Sequence, residues 1–317
     1  MSSLLQKFLE LPLPIKYITK SYVLSCPDLK CNIIHTLTTI YCLCGLHAVN
    51  GGYMKIIVPI KQVPETGNVK MDEKTGTMIR EGVESIVNPL DLFAIECALQ
   101  LKEAHGGSVA VLSMGPPKAE KAIREALSMG CDEGFLLTDK AFAGSDTWAT
   151  SYVLSEAIKT LGDFDLIVAG VRATDGDTGQ VGPETASMLD LPLATFVSKI
   201  VTIGDGVMTV ERLLENGYET IRLPMPCLLT VVNEISAPRL PTLRGKQAAR
   251  KKEVPVMKKD DLPVEEASLG LNGSPTRVVK IMKPKVTRNG IILDTKKVGV
   301  KQAVDELVTF LEAKDFV

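Results

Sequence analysis

Four short apolar runs, residues 55–63, 108–113, 135–138 and 165–169, alternate with helical stretches. This alternation constrains the fold more than any other feature of the chain. Buried strands separated by helices pair in parallel, because each helical crossover returns the chain to the same end of the sheet. The expected fold is therefore α/β, a Rossmann-like parallel sheet with helices on both faces. In such sheets ligands collect over the carboxyl ends of the strands. Segments 59–62, 88–91, 113–117 and 170–181 fall there by construction, and 142–147 opens the helix after the third strand.

Within that frame the densest signal is G-V-R-A-T-D-G-D-T-G-Q-V-G-P, residues 170–183. An apolar run precedes it, and a helical pattern carrying Val181, Ala186 and Leu189 follows. A strand, a glycine-rich loop and a helix start together aim backbone N–H groups at an anion. Asp177 and Gln180 are spaced as a capping box. Two aspartates would repel a phosphate, so Asp177 is expected as a cap and Asp175 as a turn or ribose-hydroxyl residue. That leaves the N–H groups, Thr178 and Gln180 for phosphate. The loop is neither G-x-G-x-x-G nor a Walker sequence, and an ordinary βα turn would use glycines in the same way. Upstream, Asn88-Pro89-Leu90-Asp91 reads as N-cap, N1 proline and an N3 acid complementing the helix dipole. The helix it opens buries Leu90, Ala94, Cys97, Ala98 and Leu101.

After Pro192 the rhythm changes to strands at 197–201, 207–213 and 220–223. Hairpin turns are expected at 204–206 and 216–217, and an apolar strand at 227–232. An irregular excursion or a loose hairpin is expected at 68–83, with turn clusters at 72–76 and 81–82. Residues 239–252 gather Arg244, Lys246, Arg250, Lys251 and Lys252 around Leu243; a charge run of this kind is ordinarily a solvated face. Residues 258–288 read as an extended arm. The helix at 300–310 needs another surface to bury Val300, Val304, Leu307 and Phe310.

Composition removes several function classes. A net charge of −2 gives no global pull toward nucleic acid or a membrane. With aromatics at 5% and none within the basic run, base stacking is not expected. Four of the seven cysteines lie in the first fifty residues. Cys97, Cys131 and Cys227 are isolated in apolar patterns, which suits a reducing cytoplasm and argues against a disulfide framework or an iron–sulfur site. Residues 31–54 carry no Lys, Arg, Asp or Glu, yet polar residues interrupt them too often for a membrane span or a secretory signal. Residues 1–53 are expected to be an atypical extension outside the fold, with Met54 opening the folded chain. His105 is the one histidine beyond that extension, and it sits in a helix stop. No catalytic side chain and no metal site are expected, which points to a binding module or to a protein whose cofactor carries the reaction.

The motifs K-Q-V-P at Lys61, N-P-L-D at Asn88, S-M-G-P-P at Ser113, A-T-D-G-D-T-G-Q-V-G-P at Ala173, T-L-R-G-K at Thr242 and A-R-K-K-E-V-P-V at Ala249 together resemble the β subunit of electron transfer flavoproteins. The resemblance runs from Met54 almost to the C-terminus. It implies an electron-carrying subunit of a heterodimer, with oxidoreductase activity only within a complex. Asp91, the D-G-D-T-G loop and A-F-A-G-S-D-T at Ala141 resemble the electron-bifurcating members, associated with anaerobic metabolism, whose β site holds FAD and whose electrons come from NADH. The alternatives are a non-bifurcating subunit with structural AMP in that site, or a non-redox adenine-nucleotide module. By resemblance Pro59, Asn88, Asp91, Met114, Gly170, Arg172, Thr174, Asp175, Gly176, Asp177, Thr178, Gly179, Gln180 and Val181 hold the FAD. Met114, Gly115, Asp146 and Thr147 are implied to meet NADH. Leu243, Arg244, Lys246, Arg250 and Lys251 would contact a flavin-dependent dehydrogenase of the acyl-CoA or lactate class, and ferredoxin or flavodoxin would be the low-potential acceptor. The implied organisation is a nucleotide-binding α/β domain over 54–238, a partner-recognition loop over 239–253, and an arm and helix over 254–317 that pack on the α subunit.

Overall fold

The computed structural model describes residues 53–65, 70–71, 78–79, 85–279 and 290–316. The expectations for residues 1–52, for the turns at 72–76 and 81–82, and for 280–288 of the arm lie outside the described residues. In chain order the strands and helices are β1 (Met54–Pro59), β2 (Gln62–Pro64), β3 (Lys70–Met71), β4 (Met78–Ile79), β5 (Ser85–Val87), α1 (Pro89–His105), β6 (Gly107–Met114), α2 (Glu120–Met129), β7 (Glu133–Leu137), α3 (Thr147–Thr160), β8 (Leu166–Gly170) and α4 (Val181–Met188). They continue as β9 (Leu193–Gly204), β10 (Val207–Leu214), β11 (Gly217–Pro224), β12 (Cys227–Val231), α5 (Leu243–Lys251), β13 (Val256–Met257), α6 (Gly270–Gly273), α7 (Thr295–Val298) and α8 (Val300–Glu312).

Nine strands form one sheet in the order β11-β10-β9-β12-β8-β1-β6-β7-β13. Every neighbour pair from β9 to β13 is parallel, and β10 and β11 add an antiparallel hairpin at one edge. Side chains alternate across the sheet. Ile56 and Val58 pack on the face covered by α1 and α2, while Ile57 packs on the face covered by α3 and α4. Burial on both sides is why these strands read as unbroken apolar runs. Each fully buried Ile or Leu contributes about 1.5–3 kcal/mol of transfer free energy.

The structure departs from the sequence reading in instructive places. The expected strand over 55–63 breaks after Pro59: the Lys61 N–H donates to the Asp91 carboxylate at 2.7 Å, and β2 pairs instead with β5. β9 starts four residues before the expected 197. The β9–β10 turn centres on Asp205 and Gly206, whose φ of 51° and 72° suit a two-residue hairpin. β3 and β4 pair antiparallel, as the loose hairpin requires. The basic run contains helix α5, capped by Thr242, which accepts from the Gly245 N–H at 2.9 Å. After it, β13 extends the sheet beside β7, and Met257, Leu262 and Leu269 bury into the α3 side of the core. The helix expected at 300–310 is present as α8.

Candidate functional site

With β9, β12, β8, β1, β6, β7 and β13 parallel, their carboxyl ends share one edge, and a cleft of about 970 Å³ opens above it. It is lined from all five segments that the strand order assigns to that edge: Pro59 to Lys61, Asp91, Met114 to Pro117, Phe142 to Thr147, and the 170–182 loop.

Asp91 lines the cleft. Its backbone belongs to the first turn of α1, and it is buried at 6% exposure. One carboxylate oxygen accepts from the Lys61 N–H at 2.7 Å, and the other accepts from Asn88 Nδ2 at 2.8 Å. Burial pushes its pKa up from 3.8 to about 7 against those two hydrogen bonds, with the Lys61 charge also opposing and Asp175 adding. Gly170 faces it across the gap. A Cβ there would collide with the Asp91 carboxylate and the Leu90 backbone, so only glycine lets β8 come this close.

Asn88 occupies the N-cap position but makes no side-chain cap bond. Its amide donates to the Arg172 carbonyl at 2.9 Å and accepts from the Thr174 N–H at 3.1 Å, which ties the start of α1 to the glycine loop. The expected capping box at Asp177 does not form. Asp177 has φ 54°, its N–H donates to the Ala173 carbonyl at 2.8 Å, and α4 begins later, with Gln180 as N-cap. The loop aspartates are neutralised from within: Lys61 pairs with Asp175 at 2.7 Å and Arg172 with Asp177 at 3.0 Å. The repulsion expected toward a phosphate is thereby largely offset.

Asp146, also on the cleft wall, caps α3 by accepting from the Ala149 N–H at 3.1 Å. It also accepts from the Thr276 N–H and hydroxyl, both at 2.8 Å. Burial alone would raise its pKa, but these hydrogen bonds outweigh burial and lower it, so it stays a carboxylate. Thr147 lies beside Glu184 at 3.2 Å, linking α3 to α4.

Of the sequence-derived set, Pro59, Asp91, Met114, Gly115, Asp146, Thr147, Gly170, Arg172, Gly176, Thr178, Gly179, Gln180 and Val181 line the cleft. Asn88, Thr174, Asp175 and Asp177 do not; they brace the loop from behind or beside it. Sequence reasoning missed Thr138, Asp139, Thr150, Leu154, Thr185, Leu228 and Lys258. Strand-end position could have found Thr138, but nothing marks Lys258, which follows a strand of only two residues. Leu243, Arg244, Lys246, Arg250 and Lys251 gather on α5, away from the cleft. Leu243 is 81% exposed, whereas Ala249 is buried against α2. Arg124 holds this helix by donating to the Ala249 carbonyl at 2.8 Å, and Lys252 by donating to the Cys131 and Asp132 carbonyls.

Cys97, Cys131 and Cys227 are buried free thiols, each pushed up to about 12, chiefly by burial. Among the described residues no group of His, Cys, Asp and Glu side chains is arranged to hold a metal, and no helix is long and apolar enough to cross a membrane.

The model of the electron transfer flavoprotein domain matches residues 75–262. The chain belongs to the electron transfer flavoprotein family. Relatives place it in the β-subunit branch. It is 49% identical to the electron transfer flavoprotein subunit beta of Thermoanaerobacterium thermosaccharolyticum, over 82% of this chain and 99% of that protein. It is 43% identical to the caffeyl-CoA reductase-Etf complex subunit CarD of Acetobacterium woodii, over 83% and 100%. With the acryloyl-CoA reductase electron transfer subunit gamma of Anaerotignum propionicum it shares 41% identity, over 80% and 98%. Its role is that of an electron transfer flavoprotein β subunit in electron transfer.

Proposed function

We propose that this β subunit binds FAD in the cleft and works in flavin-based electron bifurcation. In that reading a heterodimer with the α subunit takes electrons from NADH. It passes one to ferredoxin or flavodoxin and the other, through the α-subunit flavin, to or from a flavin-dependent dehydrogenase in the cytoplasm. Two relatives serve CoA-thioester reductases by name, which favours the acyl-CoA class of partner over the lactate class.

The observation that carries the reading is the size and lining of the cleft. At about 970 Å³ it lies at the upper end of small-molecule sites. AMP has fewer than half the atoms of FAD and would leave much of it open. The residues present also fit a dinucleotide. Thr178 to Gly182, leading into and opening α4, line one stretch of the cleft, where a helix start favours diphosphate charge. Asp91 and Gly170 form a close-packed part of its wall. A flavin bound here supplies the hydride and single-electron chemistry. The side chains of this chain bind and orient it, exclude water from its floor and neutralise its charge. Met114, Gly115, Asp146 and Thr147 line the cleft and are candidates for meeting NADH. Leu243 and its cationic neighbours on α5 are the dehydrogenase contact, and α8 packs on the α subunit.

The test is nucleotide analysis of the chain coexpressed and purified with its α subunit. Two FAD per heterodimer, with bleaching by NADH, is the expected result. One FAD and one AMP would establish the non-bifurcating alternative. A colourless protein that binds adenine nucleotide alone would leave only the non-redox module.

A further inference from the structure

The wall of the cleft between β7 and α3, residues 139–147, is clamped at both ends by chain that follows it by 120 residues or more. At the β7 end the Asp139 carboxylate accepts from the Ala141 N–H at 2.9 Å and from the Lys259 N–H at 3.3 Å. At the α3 end one Asp146 oxygen caps the helix, and the other accepts from both the N–H and the hydroxyl of Thr276, each at 2.8 Å. The Asp146 N–H in turn donates to Ser274 Oγ at 2.8 Å, and that hydroxyl donates to the Gly270 carbonyl at 2.7 Å. Between the two ends α6 lies against the wall. The Leu271 N–H donates to the Ala143 carbonyl at 3.2 Å, and a Cβ on Gly270 would collide with the Ala141 and Ala143 carbonyls.

Three donors fill three of about four lone-pair sites on the Asp146 carboxylate. One site remains, too few for the paired hydroxyls of a ribose. Thr276 supplies two of the three bonds, is exposed, and does not line the cleft. Losing its hydroxyl would leave the chemistry of the lining intact and loosen only the hold on residues 142–147, all six of which line the cleft. Hydrogen bonds to a carboxylate are among the stronger ones, and supporting bonds of this kind keep a binding wall within the tolerance that a ligand needs. We infer that Thr276 is a positioning residue for the electron donor: acting through Asp146, it holds the 142–147 wall where the pyridine nucleotide is received. This rests on the reading of NADH as donor given above.

The test uses the full chain coexpressed with its α subunit. Thr276→Val keeps the shape and the backbone N–H and removes the hydroxyl, and Thr276→Ser keeps the hydroxyl. Thr276→Val is also made in an Asp146→Ala background. Bleaching of the bound flavin by NADH gives a limiting rate and a half-saturating NADH concentration, measured beside FAD content and melting temperature. Thr276→Val should raise the half-saturating concentration about threefold to tenfold, the scale of one exposed hydrogen bond to a charge. Its limiting rate and FAD content should stay within about twofold of wild type, and its melting temperature should not change. Thr276→Ser should restore the wild-type concentration to within about twofold. On Asp146→Ala the valine change should add less than about twofold, because its route to the wall is gone. The two Thr276 variants decide the inference alone if Asp146→Ala does not accumulate. An unchanged NADH response in Thr276→Val, no rescue by serine, or a full effect that persists on Asp146→Ala overturns the inference and leaves the donor reading standing. A parallel fall in FAD content and melting temperature does the same, since it marks a brace of the whole fold. A wild-type heterodimer that NADH does not bleach overturns both.

Discussion

Asp91 is held between opposing demands. Burial disfavours its charge, while the Lys61 N–H and the Asn88 amide favour it; burial wins and sets the pKa at about 7. Between about pH 4 and about 7 the folded chain keeps a proton that the unfolded chain has lost. Stability therefore falls as pH rises through that window, and the loss is complete above about 7, on the order of a few kcal/mol. Asp91→Asn removes the titration but leaves one N–H donor without its acceptor, at about 1 kcal/mol. The wild-type advantage in melting temperature should be largest at pH 5 and shrink or reverse by pH 8; parallel curves for the two proteins would refute the assignment. Gly170→Ala drives a methyl group into the same carboxylate. Overpacking of this kind costs about 1–3 kcal/mol, and thermal melts and nucleotide content of the purified chain should both fall. The place of Asp91 at the third helical position was legible in N-P-L-D, but its burial was not. The loop after β1 that covers it comes from residues thirty positions upstream. Asp177 shows the converse. Its spacing to Gln180 satisfied a capping pattern, yet Arg172 and the Ala173 carbonyl claim it for the turn instead.

Helix α5 shows why an element can be invisible to periodicity and still be well placed. One small residue, Ala249, is its buried contribution, so no apolar stripe announces it. Its approach is fixed from outside. Arg239 donates to Glu96 through its backbone N–H, Nε and Nη2 at 2.8–3.1 Å, and to Glu103 through Nη1 and Nη2. Burial would raise the pKa of Glu96, but the Arg239 bonds prevail and lower it. Arg239→Ala strands a carboxylate that is 3% exposed. Breaking a fully buried pair costs about 3–5 kcal/mol; this pair is partly solvated on the arginine side, so about 2 kcal/mol is expected. The check is denaturant unfolding, with hydrogen exchange reporting faster opening of residues 243–251. Leu243→Ala, at 81% exposure, should shift stability by less than about 0.5 kcal/mol. If α5 is the dehydrogenase contact, the same change should slow electron transfer to that partner.

Across the whole molecule, the parallel sheet and the edge that carries the cleft were readable because strands buried on both faces write themselves as apolar runs. β13 was not, since two residues hold no period, and its place depends on pairing with β7. The C-terminal region divides at the same physical line. Met257, Leu262 and Leu269 are buried in this chain's own core, whereas α8 leaves Val300, Val304, Leu307 and Phe310 exposed at 48–69%. Those four recur at helical spacing along one stripe. A stripe of that width without a cover marks an interaction surface, and the reading above assigns it to the α subunit. Burying a leucine of this stripe contributes about 1.5–3 kcal/mol to association, and a charge in its place adds a desolvation penalty. Leu307→Asp should therefore leave the melting temperature of the isolated chain unchanged, because nothing among the described residues covers the position. It should weaken heterodimer formation by about tenfold to a hundredfold, measured by sedimentation or by titration of the separate subunits. A drop in stability of the isolated chain with unchanged pairing would mean that α8 folds back on its own body, and the assignment to the α subunit would fail.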